Sequence, residues 1–300
     1  MNEADIVRLL TRDHADPRAL GFDDDVCVID GDIVTSTDML VEDVDFRLRT
    51  FSAGDVAHKA LAVNLSDLAA AGAVPVGFTL ALALPEARVE ARWIEELATA
   101  LRALAAVEGC ALLGGDLSRT DGPIVIALSV FGKADRVLRR RVGSVGDRLC
   151  VSGELGAAAA GLAILERGVV GDEWARLRGK QRRPSPRVAH GRALAANEAC
   201  LGAIDLSDGL AADLPRLLPE GLGAALDLSA LPIAADTRRA AEMLGVDPVS
   251  LATSGGEDFE LLCVLRAGAP VPAGFTAIGE IVRGAGTPLA AGFDHFVTPG

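Results

Sequence analysis

The sequence contains no G-x-x-x-x-G-K-[ST] stretch, which excludes a P-loop nucleotide site. It has no G-x-S-x-G elbow, and no G-x-G-x-x-G follows a strand-like run in a dinucleotide-binding context. The four histidines, His14, His58, His190 and His295, are scattered and lack zinc-ligand spacing. The five cysteines, Cys27, Cys110, Cys150, Cys200 and Cys263, form no C-x-x-C pair. Most sit in apolar runs and read as small buried hydrophobes in a reducing compartment. No apolar run is long enough to span a membrane, because 60–71 is interrupted by Asn64, Ser66 and Asp67. Residues 1–12 carry charges along an amphipathic pattern, unlike a signal peptide. Basic residues are also short, 29 against 42 acids for a net charge of −13, which argues against a nucleic-acid partner. The expectation is a cytoplasmic chain bound to neither membrane nor nucleic acid.

Half of the 300 residues are hydrophobic, enough for a large core and too many for one typical domain. Short β-rich runs at 26–29 and 32–37 flank the hairpin turn Asp30-Gly31. Ser52, with Asp55 three residues on, resembles a capping box opening a helix that runs to Gly72 and is apolar nearly all round. Strands are expected at 76–84, 111–113 and 124–131, with a long helix over 86–108. A basic, glycine-containing stretch at 139–146 marks a boundary, which divides the chain into 1–140 and 141–300. Strand and helix patterns then restart. They give strands near 148–152, 203–206, 224–228, 259–265 and 276–282, and helices near 156–166, 187–197, 210–218 and 237–244. The stretch 178–186 reads as a basic loop. Two mixed α/β halves follow.

Against this background three acidic islands stand out: Gly21-Phe22-Asp23-Asp24-Asp25, Ser36-Thr37-Asp38 and Gly114-Gly115-Asp116. Each reads as the end of an apolar strand giving way to a loop. Carboxylates that converge from separate strand ends repel one another unless a cation lies between them, which suggests magnesium beside phosphate. Adjacent aspartates such as Asp24 and Asp25 are more often a plain turn. Ser36, Thr37 and Asp38 offer hard oxygen ligands side by side, or an Asx-turn. Asp67 lies on the apolar helix and needs a partner or a metal, with Lys59 two turns earlier as the alternative partner. Asp205, Ser207 and Asp208 precede a helix and suit phosphate oxygens or simple N-capping. Ser254-Gly255-Gly256-Glu257-Asp258 precedes an apolar strand, as a ligand-approaching loop or a tight turn.

Together these segments resemble the thiamine-monophosphate kinase family, within the superfamily that includes aminoimidazole ribonucleotide synthetase and selenophosphate synthetase. The resemblance is carried by Asp24-Asp25, by Ser36 to Glu42, by Lys59 to Ala70, by Gly114-Gly115-Asp116, by Ala203 to Leu210, by Ser254 to Asp258 and by Gly292-Phe293-Asp294-His295-Phe296, in family order. It implies an α/β chain of the α+β type with a two-domain PurM-like architecture. The N-terminal mixed sheet with helices would pair across a homodimer, and a C-terminal α/β domain would complete the nucleotide and substrate site. It implies ATP as co-substrate, thiamine monophosphate as acceptor and several Mg2+ ions. Asp24, Ser36, Thr37, Asp38, Asp67, Asp116, Asp205 and Asp208 would be metal ligands, with Asp38, Asp116 and Asp205 central to catalysis. Gly115, Asp116, Arg141 and Ser207 would contact the nucleotide, and Asp45, Glu257 and Phe293 the substrate.

The chain departs from the family pattern at three points. Asp23 stands where glycine is usual, Asp45 stands where histidine is usual, and no tyrosine is available for the nucleotide base or the substrate end. The implied reaction is direct in-line phosphoryl transfer to an acceptor phosphate. That acceptor is already ionised, with a second pKa of about 6, so a site rich in carboxylates and poor in histidine suffices. A ligase of the same superfamily, or a non-catalytic cation binder, would share the acids. The Ser254 to Asp258 and Gly292 to Phe296 signatures favour the kinase over the ligase.

Overall fold

A computed structural model of the chain describes residues 3–12, 16–22 and 24–289. The first half opens with α1 (Glu3–Leu10), β1 (Cys27–Asp30) and β2 (Ile33–Val41). It continues with α2 (Ala53–Ala70), β3 (Val74–Leu84), α3 (Ala91–Glu108), β4 (Ala111–Arg119) and β5 (Val125–Lys133). These strands form one five-stranded sheet in the order β1-β2-β5-β3-β4, with only the β3–β4 pair parallel. The second half contains β6 (Arg148–Ser152), α4 (Ala157–Glu166), α5 (Ala175–Arg182), α6 (Val188–Ala195), β7 (Cys200–Asp205) and α7 (Leu210–Leu217). It ends with β8 (Leu222–Leu226), α8 (Ala235–Leu244), α9 (Pro248–Ser254), β9 (Leu261–Leu265) and β10 (Phe275–Arg283). Its strands make a second five-stranded sheet, β7-β9-β6-β10-β8.

The reason α2 is apolar on every side is its position. It packs on β2, β3 and β5 of the first sheet, on α3, and on α5, α6 and β7 of the second half. One hydrophobic core therefore runs from Val34 and Phe78 through Leu61, Leu65 and Leu68 to Cys200, Leu261 and Leu265. The helix begins with the expected capping box. Ser52 accepts from the Asp55 N–H at 3.1 Å, and Asp55 accepts from the Ser52 N–H at 3.2 Å.

Two acidic islands lie inside strands, not at their ends. β2 continues through Ser36-Thr37-Asp38 to Val41, paired residue for residue with β5 from Ile33↔Lys133 to Val41↔Val125. Gly114-Gly115-Asp116 lies within β4. A Cβ on Gly115 would meet the Leu80 carbonyl oxygen at 2.0 Å. The glycine thus marks a close approach of neighbouring backbones and not a loop.

Other differences have local causes. The expected loop at 178–186 is partly α5, whose last turn carries Lys180 and Arg182 against the carbonyl end of the helix before Pro184 stops it. The helix expected over 86–108 divides into a short 3-10 turn at Glu86–Arg88 and α3, which ends at left-handed Gly109. Helix α9 was not expected. Its signal is Asp247-Pro248, where the Asp247 side chain caps Val249 N–H at 3.1 Å and proline takes the first turn.

Candidate active site

A cleft of about 550 Å³ opens between the two halves. At one end Asp25, Asp67 and Asp205 each bring a carboxylate oxygen within 4.8 Å of the others. They come from the segment before β1, from α2 and from the end of β7, so neither half makes the trio alone. Ser36 Oγ donates to Asp67 Oδ2 at 2.6 Å, and Ser66 Oγ donates to Asp205 Oδ2 at 2.7 Å. Asp38 lies beside them, its backbone N–H held by Asn64 Oδ1 at 2.9 Å.

The electrostatics follow from crowding. Burial, then neighbouring carboxylates, raises Asp67 and Asp205 well above the ordinary range, against the hydrogen bonds from Ser36 and Ser66. Burial also raises Asp25, opposed by the Arg140 guanidinium it pairs with. Asp38 is pushed up to about 6 by burial and by Asp25, Asp45 and Asp208. Burial works against the charge of Arg140, yet Asp25 holds that guanidinium above its usual pKa. Arg140 pairs directly with this group of four acids, and Arg216 acts on Asp25 through its charge. Hard oxygen donors whose charged forms are this disfavoured fit a divalent cation such as Mg2+.

The remaining expected residues are distributed by strand and helix geometry. Successive side chains on β2 alternate faces, so Ser36 and Asp38 turn toward α2 while Thr37 lies on the other face, 2.8 Å from Ser129 Oγ. Asp24 and Asp25, on the bend before β1, take different partners although both line the cleft. Asp24 accepts from Arg139 Nε at 2.6 Å and from the Arg140 N–H at 2.7 Å, while Asp25 joins the trio. Asp208 lines the cleft and pairs with Arg216 at 2.6 Å. Ser207 also lines the cleft, and its carbonyl accepts from the Glu257 N–H. Helix α7 is capped by Gly209 without a side-chain bond, so Ser207 and Asp208 are not its N-cap. Arg141 directs Nη1 at the Pro215 and Leu218 carbonyls, at 2.9 and 3.1 Å. Arg140, its neighbour, lines the cleft, as do Arg47 and Arg216.

Gly115 and Asp116 stand apart from the trio within one chain. The register places Asp38, Leu128, Leu80 and Gly115 in one cross-strand row. Three inter-strand steps separate its ends, roughly 14 Å. Every residue of β4 is exposed, including Leu112, Leu113 and Leu117. Phe293, with the rest of the Gly292 to Phe296 stretch, lies outside the described residues, as do Asp23, His14 and His295.

The far end of the cleft is apolar and aromatic, with Phe46, Phe51, Leu162 and Phe259, and holds Lys59, Gln181 and Glu257. Lys59 does not pair with Asp67. Both lie on one face of α2 with Val63 between them, eight residues and roughly 12 Å apart. Lys59 Nζ instead reaches Glu257 Oε1 at 2.5 Å and the Asp45 carbonyl at 3.0 Å. Asp45 uses a carboxylate oxygen to accept from the Val41 N–H at 2.8 Å, closing its own turn. Sequence reasoning overlooked Asp213, which is buried, pairs with Arg216 at 2.9 Å and is raised to about 7, chiefly by burial. Its only signal was an acid on the apolar side of α7.

Residues 23–134 match the AIR synthase related protein, N-terminal domain, and residues 144–270 match the C-terminal domain of the same family. The thiamine-monophosphate kinase of Salmonella typhimurium is 40% identical over 296 residues, covering 89% of this chain and 87% of that protein. The chain belongs to the thiamine-monophosphate kinase family. The Mycobacterium tuberculosis member is 36% identical and covers 97% of this chain and 88% of its own length. Among solved structures, AaThiL complexed with AMPPCP and TMP superposes with a TM-score of 0.90 at 26% identity, covering 98% and 97% of the two chains. The thiamine-monophosphate kinase of Stenotrophomonas maltophilia K279a superposes with a TM-score of 0.76 at 34% identity, over 94% and 92%. The chain is thus a kinase with the two-domain PurM-like fold of that family. Among the described residues, no helix is long and apolar enough to cross a membrane.

Proposed function

We propose that this kinase transfers the terminal phosphoryl group of ATP directly to the phosphate of thiamine monophosphate, giving thiamine diphosphate and ADP. The observation that carries the reading is the trio Asp25, Asp67 and Asp205 at the head of a cleft whose other end is aromatic and carries Glu257. Asp25, Asp38, Asp67 and Asp205, with Ser36, Asp24 and Asp208 nearby, would hold several Mg2+ ions. Those ions, when bound, would neutralise the phosphate oxygens of both polyanions. Arg140 faces the same space and can meet the oxygens of the transferred group. No base is required of the chain, because the acceptor oxygen is ionised near neutral pH. In-line attack needs only that the two ligands enter from opposite sides of the acids.

A second hollow of about 570 Å³ supports that approach. It shares Asp24 and Asp25 with the cleft, and Ser36, which also lines it, donates to Asp67 of the cleft. Val7, Ala19, Phe22, Val26, Val28 and Ile29 give it the apolar lining a nucleoside needs. In this reading ATP spans from the hollow to the acids and thiamine monophosphate fills the cleft. The exposed leucines of β4, with exposed Met39, Val74 and Val76 on the same sheet, support a homodimer in which a second copy supplies Gly115 and Asp116.

The test is chromatographic detection of thiamine diphosphate from purified protein, ATP and thiamine monophosphate, with and without Mg2+. Formation that depends on Mg2+ is expected. ATP hydrolysis without thiamine diphosphate, or turnover in chelator, would defeat the reading.

A further inference from the structure

We propose that Lys59 is a positioning residue for substrate specificity. Its buried ammonium fixes the Glu257 carboxylate, contributed by the second half, against the Asp45 carbonyl of the first. Glu257 is thereby aimed at the amino group of the substrate's pyrimidine ring. The inference rests on the reading of thiamine monophosphate as acceptor.

Lys59 is fully buried in the middle of α2, where an unpaired ammonium would be strongly disfavoured. Nζ has three donors. One goes to Glu257 Oε1 at 2.5 Å and one to the Asp45 carbonyl at 3.0 Å, and the ammonium lies 5.5 Å from the centre of the Phe51 ring. The other Glu257 oxygen is held by Gln181 Nε2 of α5. The carboxylate is thus clamped at both oxygens by side chains from both halves. It remains 31% exposed, so free lone pairs face the cleft.

The backbone gives a second, independent indication. Glu257 has φ +59° and Phe259 has φ +49°, left-handed conformations that side-chain-bearing residues rarely adopt. The Glu257 N–H donates to the Ser207 carbonyl at 2.6 Å and the Phe259 N–H to the Leu206 carbonyl at 3.0 Å, which hold the turn in this form. Strain kept at a cleft-lining residue is accounted for if the aim of its carboxylate matters.

The ligand chemistry fits the fixed point. Phe46, Phe51 and Phe259 are buried behind the cleft surface and make this end of it apolar, which suits flat rings. Glu257 is an acceptor, and an exocyclic amino group is a donor. Lys59 lies roughly 12 Å along α2 from Asp67, which separates the amino-reading end from the phosphate end. The Lys59–Glu257 bond sets the distance between the two walls that enclose the ring.

The experiment compares steady-state kinetics of Lys59→Met, Glu257→Gln and the double variant with the unmodified chain. Each is also assayed with an acceptor analogue in which hydrogen replaces the pyrimidine amino group. KM for thiamine monophosphate should rise about tenfold or more in each single variant, with KM for ATP within about twofold and kcat lowered less than about threefold. The double variant should be no worse than the weaker single one, because both act through one contact. The unmodified chain should discriminate against the analogue, and both variants should lose that discrimination. Equal rises in KM for ATP and acceptor, or retained discrimination in Lys59→Met, would overturn the proposal. If Lys59→Met fails to fold, Lys59→Gln, which keeps a polar side chain of shorter reach and no charge, decides by the same criteria. An unmodified chain that does not phosphorylate thiamine monophosphate overturns the parent reading and this one together, whereas turnover with unaltered variants overturns this one alone.

Discussion

Ser66 on α2 donates a 2.7 Å hydrogen bond to Asp205 at the end of β7, and this contact couples the helix of the first half to the acid of the second. Both residues are buried, so the bond has no water to replace it. Ser66→Ala leaves Asp205 short of a donor and should destabilise the protein by about 1–3 kcal/mol. It should also weaken Mg2+ binding about tenfold, because a residue that orients a ligand has that scale of effect. Thermal melts and calorimetric titration with MgCl2 measure the two consequences separately.

Asp67→Asn and Asp205→Asn should move activity and stability in opposite directions. Each variant removes a buried charge that its neighbours repel. Turnover should fall by on the order of a hundredfold, while the metal-free protein should melt a few degrees higher. Lower melting in both variants would show that the carboxylates are satisfied without a cation.

The pH dependence follows from Asp38, whose folded pKa of about 6 lies above its unfolded value of about 3.9. The folded state binds the proton more tightly, so the Asp38 contribution to metal-free stability should be lost as pH rises between about 4 and 6, with Asp67, Asp205 and Asp213 extending the decline to higher pH. Magnesium needs the deprotonated form, so its stabilising shift should be larger at about pH 8 than at about pH 5.5. Fluorimetric melts with and without MgCl2 at both values check the sign.

Glu166 at the end of α4 takes Arg47 at 2.8 Å and also Arg49, both from the segment between β2 and α2. All three are partly exposed, so the effect is modest. Glu166→Gln should raise KM for thiamine monophosphate about two- to fivefold and speed hydrogen exchange in 43–50.

Leu117→Lys on β4 should give a monomer in light scattering if a second copy covers that strand. Asp116 would then have no neighbouring cluster to join, and turnover should fall with the loss of the dimer. A fully active monomer would remove Gly115 and Asp116 from the site.

The helix from Ser52 was legible because capping and periodicity are local, and its uniform apolarity announced burial, which the structure places between the first sheet and the second half. Strand ends were less legible. Ser36-Thr37-Asp38 and Gly114-Gly115-Asp116 contain residues common in turns, and only the neighbours β5 and β3 reveal that they continue a ladder. Of the two readings open for Asp67, the Lys59 partner fails because two turns of helix separate the side chains. Glu257, nearly two hundred positions away, comes closer.

By itself the sequence determined the kind of chemistry. Oxygen donors, few histidines and no P-loop follow from residue identity, and identity does not depend on the fold. Tertiary structure decided which donors meet. Alternation along β2 turns Asp38 inward and Thr37 to the opposite face, and the bend before β1 gives Asp25 to the trio and Asp24 to Arg139. Strand order carries Asp116 to the far edge of the sheet. Those outcomes depend on pairing partners and register, which are set by packing between segments that are distant in sequence.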